Sequence, residues 1–257
     1  MRKLFAFDID GTLLDHTDHQ IPKSAMESLL KLKKQGHIIG IATGRNKSQL
    51  EFVIDLSLFD FAIMCNGSYG EIKGEKVVTN NFPKEKVTKI TELLDSFNYE
   101  YVISSEDHLY GKNPNTKKIN KVIKQFDLIT PDVTDNYFSH DIYQIVVCEP
   151  TEILYNLDTL KEDVLFHTFG DFGFDIDQKG ITKGSILRDM AQHFNIDIKD
   201  VYAFGDAPND IDLVRKAGVG IAMGNAVQEV KDAADYITTH VGDNGIYNAL
   251  KKFSFVK

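Results

Sequence analysis

No apolar stretch in this chain is long enough to cross a bilayer, and no run of basic residues marks a nucleic-acid or anionic-membrane surface. The net charge of -9 is spread over short acidic and basic clusters, which serves solubility. No CxxC and no HExxH occurs, so the usual zinc spacings are missing. The only cysteines, Cys65 and Cys148, end the apolar runs FAIMC and YQIVVC, where buried free thiols are expected in place of a disulfide. The start, MRKLFAFDID, meets acidic residues within a few positions and fits neither a signal peptide nor a membrane span. The expected location is cytoplasmic, with no membrane or nucleic-acid partner. No repeat or low-complexity tract is present.

What is present is an alternation of strand and helix patterns over 257 residues, 42% of them hydrophobic, enough for a sizeable core. Short β-branched and aromatic runs at 4–9, 37–42 and 61–65 alternate with helical patterns in the rhythm of a parallel sheet. Between the first two, Pro22 suits a first helical position, Met26, Leu29 and Leu30 share a face, and Gly36 supplies a stop. The rhythm returns at 201–205, 219–223 and 235–239. The middle differs: polar, aromatic strands such as YEYVISS and DIYQIVV interleave with helices, which predicts an inserted α+β unit. The expected fold is α/β, a doubly wound Rossmann-like parallel sheet core at 1–81 and 181–257 with an inserted α+β cap domain at 82–180.

Ligands in such sheets bind beyond the carboxyl ends of the strands, near the switch point. If the first strand and the strand ending at Gly205 are neighbours, Asp8 and Asp10 face Asp206, Asn209 and Asp210. Four carboxylates in one crevice call for a hard cation, and an all-oxygen donor set suits magnesium. Thr43, Gly44 and Arg45 close the second strand, where a hydroxyl and backbone N–H groups suit phosphate oxygens. Lys183 opens the helix after the insert and offers a point charge for a phosphoryl group. FDID occurs twice, but only the copy at 7–10 precedes Gly-Thr; Asp175 and Asp177 of the second are assigned to an ordinary strand. Each motif alone reads as a turn, a helix cap or a solvated lysine. Their joint occurrence, in order and at strand ends, carries the functional reading. The histidines, His16 and His19 in a polar loop among them, show no ligand spacing and read as structural or solvent-facing. Tyr69, Tyr110, Tyr143, Phe169 and Phe172 read as core or hairpin pairs.

DIDGT at 8–12, ATGR at 42–45, ITKG at 181–184 and GDAPND at 205–210 resemble, in order and spacing, the four motifs of the haloacid dehalogenase superfamily. The large insert between the second and third motifs resembles the cap of its Cof-type phosphatases, and the likeness spans essentially the whole chain. NGS at 66–68 and AMGNA at 222–226 resemble segments lining the site in that group. The resemblance implies a phosphatase in which Asp8 attacks phosphorus and forms an aspartyl-phosphate, while Asp10 protonates the leaving alcohol and then activates water. It assigns Mg2+ to Asp8, the backbone carbonyl of Asp10, and Asp206, with Asn209 and Asp210 positioning phosphate or metal-bound waters. Thr43 and Lys183 would bind phosphate oxygens, and Thr12 would support the loop. The partner implied is a small phosphorylated metabolite, such as a sugar phosphate or similar phosphomonoester, selected by the insert. A phosphotransferase or mutase of the same superfamily and a receiver-like phospho-aspartate module are the competing readings. The receiver-like module is opposed by its need for an acceptor Asp after the third strand, where this chain has Cys65 and Asn66.

Overall fold

The computed structural model describes residues 1–15, 20–50, 53–134, 136 and 139–257. His16 and His19 lie outside the described residues. By its internal contacts the chain divides into two compact units: Met1–Gly44, Leu56–Val78 and Thr182–Lys257 form the first, and Arg45–Asp55 with Thr79–Ile181 form the second. In chain order the elements are β1 (Leu4–Phe7), α1 (Lys23–Lys34), β2 (Ile38–Ala42), α2 (Lys47–Leu50), β3 (Phe61–Met64), β4 (Tyr69–Ile72) and β5 (Glu75–Thr79). The insert continues with α3 (Lys84–Ser96), β6 (Tyr101–Ser104), β7 (Leu109–Gly111), α4 (Lys117–Phe126), β8 (Asp132–Val133), β9 (Gln144–Val147), β10 (Val164–Thr168) and β11 (Phe174–Gln178). The chain closes with α5 (Lys183–His193), β12 (Val201–Gly205), α6 (Ile211–Lys216), β13 (Val219–Ala222), α7 (Gln228–Ala233), β14 (Tyr236–Ile237) and α8 (Gly245–Lys252).

The first unit is built on a sheet of order β14-β13-β12-β1-β2-β3-β4-β5, parallel from β14 through β3 and antiparallel between β3 and β4. Parallel strands bury both faces, which is why β1, β2 and β3 read as continuous apolar runs and are buried throughout. Leu4, Ala6, Ile38 and Ile63 pack one face against Ile186, Leu187 and Met190 of α5. Each fully buried Leu, Ile or Met side chain contributes about 1.5–3 kcal/mol. In α1, Pro22 caps the helix one position before it begins, and the buried face is Ala25, Ser28, Leu29 and Leu32. Leu30, expected on that face, is 53% exposed. It lies only one position from Leu29, a step of about 100° around a helix.

The insert carries a second sheet, of order β10-β11-β9-β6-β7-β8, antiparallel except where β7 pairs β8. Strand alternation gives it two apolar faces. Ile103, Ile145, Val147 and Ile176 pack with Val87, Ile90 and Leu94 of α3, whereas Val102, Val146 and Cys148 pack with Ile119 and Val122 of α4. Burial pushes the Cys148 thiol up to about 12, which keeps it protonated. Asp177, from the second FDID, lies in β11 as expected, but it is fully buried and accepts from Gln144 Nε2 at 3.2 Å and pairs with His167 Nδ1 at 2.8 Å. Segment 45–55, read as core from sequence, belongs to the insert by its contacts. Asn46 Nδ2 donates to the carbonyls of Ser105 and His108, and Lys47 N–H to that of Glu106. Among the described residues no helix is long and apolar enough to cross a membrane.

Phe7 and Phe204 stack across the β1·β12 pair with centroids 4.7 Å apart, and both are fully buried. Phe204→Ala is expected to cost about 3–5 kcal/mol, read as a lower urea midpoint at unchanged m-value. A loss below about 1 kcal/mol would show that this pair does not hold the two strands together.

Candidate active site

Strands β1 and β12 run side by side, Phe7 opposite Phe204, and Asp8 N–H donates to the Phe204 carbonyl at 3.0 Å. Asp8 and Asp206 therefore leave the sheet together at its carboxyl edge, on either side of the point where the strand order reverses. Beyond β1 the chain curls tightly, with the N–H groups of Leu13 and Leu14 returning to the Ile9 carbonyl. Beyond β12, the 3-10 turn Pro208–Asp210 brings Asp210 back against Gly205. A Cβ at Gly205 would lie 2.4 Å from the Asp210 Cβ, so only glycine admits this approach. One Asp210 oxygen, Oδ2, accepts from the N–H groups of Asp206 and Ala207 at 3.0 and 3.1 Å.

Lys183 enters from the first turn of α5, whose start is fixed by reciprocal bonds between Thr182 and Ser185. Thr182 Oγ1 also bonds Asp212 of α6. The Lys183 ammonium is fully buried and lies 2.7 Å from Asp8 Oδ1 and 2.8 Å from Asp210 Oδ1. Asp206 is held by Thr12 Oγ1 at 2.9 Å and by Asn225 Nδ2 at 3.4 Å. Asn225 donates as well to the Gly11 carbonyl and accepts from Val241 N–H, so it ties the β1 loop to the β12 loop.

Carboxylate oxygens of Asp8, Asp206 and Asp210 lie within 4.8 Å of one another, all three residues buried. One ammonium against three carboxylates leaves two negative charges in a desolvated pocket. Burial, then the charge of Asp210, pushes the Asp8 carboxyl well above the usual range even with Lys183 beside it. The same two causes push Asp206 up to about 7, although the Thr12 hydrogen bond opposes them. Burial alone would lower the Lys183 pKa, but Asp210 and Asp8 outweigh it and raise it, so this lysine is a fixed cation. An all-oxygen set with unbalanced negative charge fits a hard divalent cation.

The structure thus brings Asp8, Asp206, Asp210 and Lys183 into one cluster. Asp10, half-buried at the start of the curl, is near enough for its charge to raise both Asp8 and Asp206. Thr43 follows β2 and is buried, but its N–H is taken by the Ile63 carbonyl at 2.8 Å, so that donor is not available to phosphate. Gly44 ends the first unit's run. Arg45 belongs to the second unit, where Nη2 donates to the Phe126 carbonyl at 2.7 Å. Asn209 Nδ2 donates to Asn66 Oδ1 at 2.9 Å. The organising roles of Asn66 and Asn225 were not readable from residue chemistry, because each acts through a partner more than 15 positions away. Their only trace was the likeness of NGS and AMGNA to site-lining segments.

The profile of the haloacid dehalogenase-like hydrolases matches residues 5–250, and the chain belongs to that family. Among relatives, YkrA of Bacillus subtilis (strain 168), provisionally named a phosphatase, is 28% identical over 266 residues, covering 99% of each chain. Among solved structures, a hypothetical protein from Geobacillus kaustophilus HTA426 is 32% identical with a TM-score of 0.90, covering 100% of both chains. The subclass IIB sugar phosphatase BT4131 is 28% identical with a TM-score of 0.91, covering 99% of this chain and 100% of its own. The doubly wound core with an inserted unit is accordingly the fold of this family, and the chain is an enzyme of the hydrolase class. A non-catalytic receiver-like module is set aside.

A carboxyl with a raised folded pKa stabilises the fold below its ordinary value and loses that contribution as pH rises through the folded one. For Asp206 the window runs from 3.8 to about 7. The metal-free protein is expected to lose melting temperature at this cluster as pH rises from about 4 to about 7, and Asp206→Asn to flatten that loss. Equal slopes for the two proteins would show that the crowding is relieved elsewhere.

Proposed function

We propose that this chain is a magnesium-dependent phosphatase that hydrolyses a small phosphomonoester, such as a sugar phosphate, through an aspartyl-phosphate on Asp8. The observation that carries the reading is the buried Lys183 ammonium bridging Asp8 and Asp210, with Asp206 completing the carboxylate set. Asp8 and Asp206, with the backbone carbonyl of Asp10, would hold the ion. Asp210 supports them, since one of its oxygens already takes Lys183 and the other two backbone N–H groups. When bound, magnesium supplies positive charge that orients a phosphate oxygen and offsets the charge gathering on the phosphoryl group.

Asp8 is the nucleophile. Its Oδ1 is held by Lys183 at the exit of β1, so attack on phosphorus needs little reorganisation. The bond to the alcohol oxygen breaks as the Asp8–phosphorus bond forms, and Asp10 donates its proton to the departing oxygen. Asp10 then takes a proton from the water that hydrolyses the acyl-phosphate, which returns both aspartates to their starting states. Lys183 remains charged throughout and stabilises negative charge on the transferring group, with the Thr43 hydroxyl as a second contact. The insert, by the family likeness, selects the alcohol portion, and the sugar phosphatase neighbour supports a sugar phosphate as the substrate class.

With a panel of small phosphate esters, phosphate release should require magnesium. Asp8→Asn should abolish it by more than about a thousandfold, and Asp10→Asn should lower it about 10²–10⁴-fold. Melting curves check that both variants fold. Full activity in Asp8→Asn would refute the nucleophile assignment. Shortening an insert loop should reorder the esters with a smaller effect on a generic aryl phosphate, and an equal loss on every ester would count against selection by the insert.

A further inference from the structure

Immediately after β3 the backbone makes a turn that ordinary residues avoid. Cys65, Asn66 and Gly67 take φ values of 47°, 52° and 107° in succession, all left-handed. Joining β3 to β4 does not require three such residues in a row, since the two-residue turns that reverse an antiparallel pair use positive φ at one or two positions. Strain of this kind persists where surrounding contacts fix it, and here the contacts lead to three separate parts of the site. Asn66 N–H donates to the Thr43 carbonyl at 3.0 Å. A Cβ on Gly67 would stand 2.4 Å from the carbonyl oxygen of Thr182, the residue that caps α5 just ahead of Lys183. Asn66 Oδ1 accepts from Asn209 Nδ2 at 2.9 Å.

That last bond fixes the Asn209 amide in one sense. With its nitrogen turned to Asn66, its Oδ1 is buried and has no donor among the described residues. A buried acceptor left so is costly unless a ligand satisfies it. Asn209 lies one residue from Asp210 and three from Asp206, in the turn that carries both. A phosphate oxygen is itself an acceptor and is the wrong complement to a carbonyl oxygen, whereas a water polarised by a divalent cation is a strong donor.

We infer that Asn66 is a positioning residue: it orients Asn209 so that Oδ1 accepts a hydrogen bond from a water in the hydration shell of the cation held by Asp8 and Asp206. Asn209 thereby acts on the ion's hydration through Oδ1, while its amide nitrogen has a second N–H besides the one given to Asn66. The inference rests on the magnesium reading above.

The test measures magnesium affinity without substrate, as the magnesium concentration that gives half the maximal rise in melting temperature. Asn66→Gly keeps the left-handed turn and deletes the amide. It is expected to weaken magnesium about tenfold while leaving the metal-free melting temperature within a few degrees of wild type. Asn66→Asp keeps an acceptor oxygen for Asn209 and should restore affinity to within about threefold. In an Asn209→Ala background, Asn66→Gly should have less than about a twofold further effect, because both act through one bond. An unchanged magnesium midpoint in Asn66→Gly overturns the inference, as does an equal loss with and without Asn209. If Asn66→Gly fails to fold, Asn209→Ala, which leaves the turn backbone intact, must itself weaken magnesium about tenfold, and no weakening overturns it. Absence of magnesium binding by the wild type would refute the parent reading instead.

Discussion

Everything in the first unit converges on one buried ammonium. Lys183 is fully enclosed, and a cation there is tolerable only because Asp8 and Asp210 stand at 2.7 and 2.8 Å. Each of its partners imposes a condition elsewhere. Asp8 requires β1 to end beside β12; Asp210 requires the sharp turn that only a glycine at 205 permits; Lys183 requires α5 to begin where Thr182 and Ser185 cap it. Removing one partner would strand the others in low dielectric, so the motifs hold one another in place as a single electrostatic unit.

That unit is not optimised for stability. Two carboxyls held well above their ordinary pKa, beside a third, are a local conflict that the apolar core outweighs. Under the proposed function the conflict has a use, because a preorganised negative pocket would take a hard cation without rearranging. The bonds from Thr12 and Asn225 serve the same end: they restrain Asp206 from relaxing away from Asp8. The strained turn at 65–67 extends this restraint to the third strand.

The insert has its own sheet and its own two cores, so it can vary without disturbing the cluster. Its buried Asp177, which holds Gln144 and His167, shows that a repeated tetrapeptide can serve quite different ends. The first FDID exits a parallel strand into a crevice. The second lies within an antiparallel strand and satisfies itself with neighbours in the sheet.

How much of this was written in the sequence differs from element to element. The core strands were legible because parallel strands buried on both faces are continuous apolar runs, and β12 was placed at its observed bounds. Asp8, Asp206, Asp210 and Lys183 were legible as candidates because acidic and basic residues at strand and helix ends carry a recognisable spacing, and the family likeness gave them an order. The sequence by itself thus determined the fold class, a set of candidate residues and the edge of the sheet on which Asp8, Asp206, Asp210 and Lys183 gather. Only the tertiary structure decided that Arg45 turns to Phe126 in the other unit, that the Thr43 N–H serves Ile63, and that Asn66 meets Asn209 across 143 positions. The physical reason is range. Strand patterns and caps arise from neighbours a few residues apart, whereas the partner of a polar side chain is fixed by which strands lie side by side, and no local pattern records that.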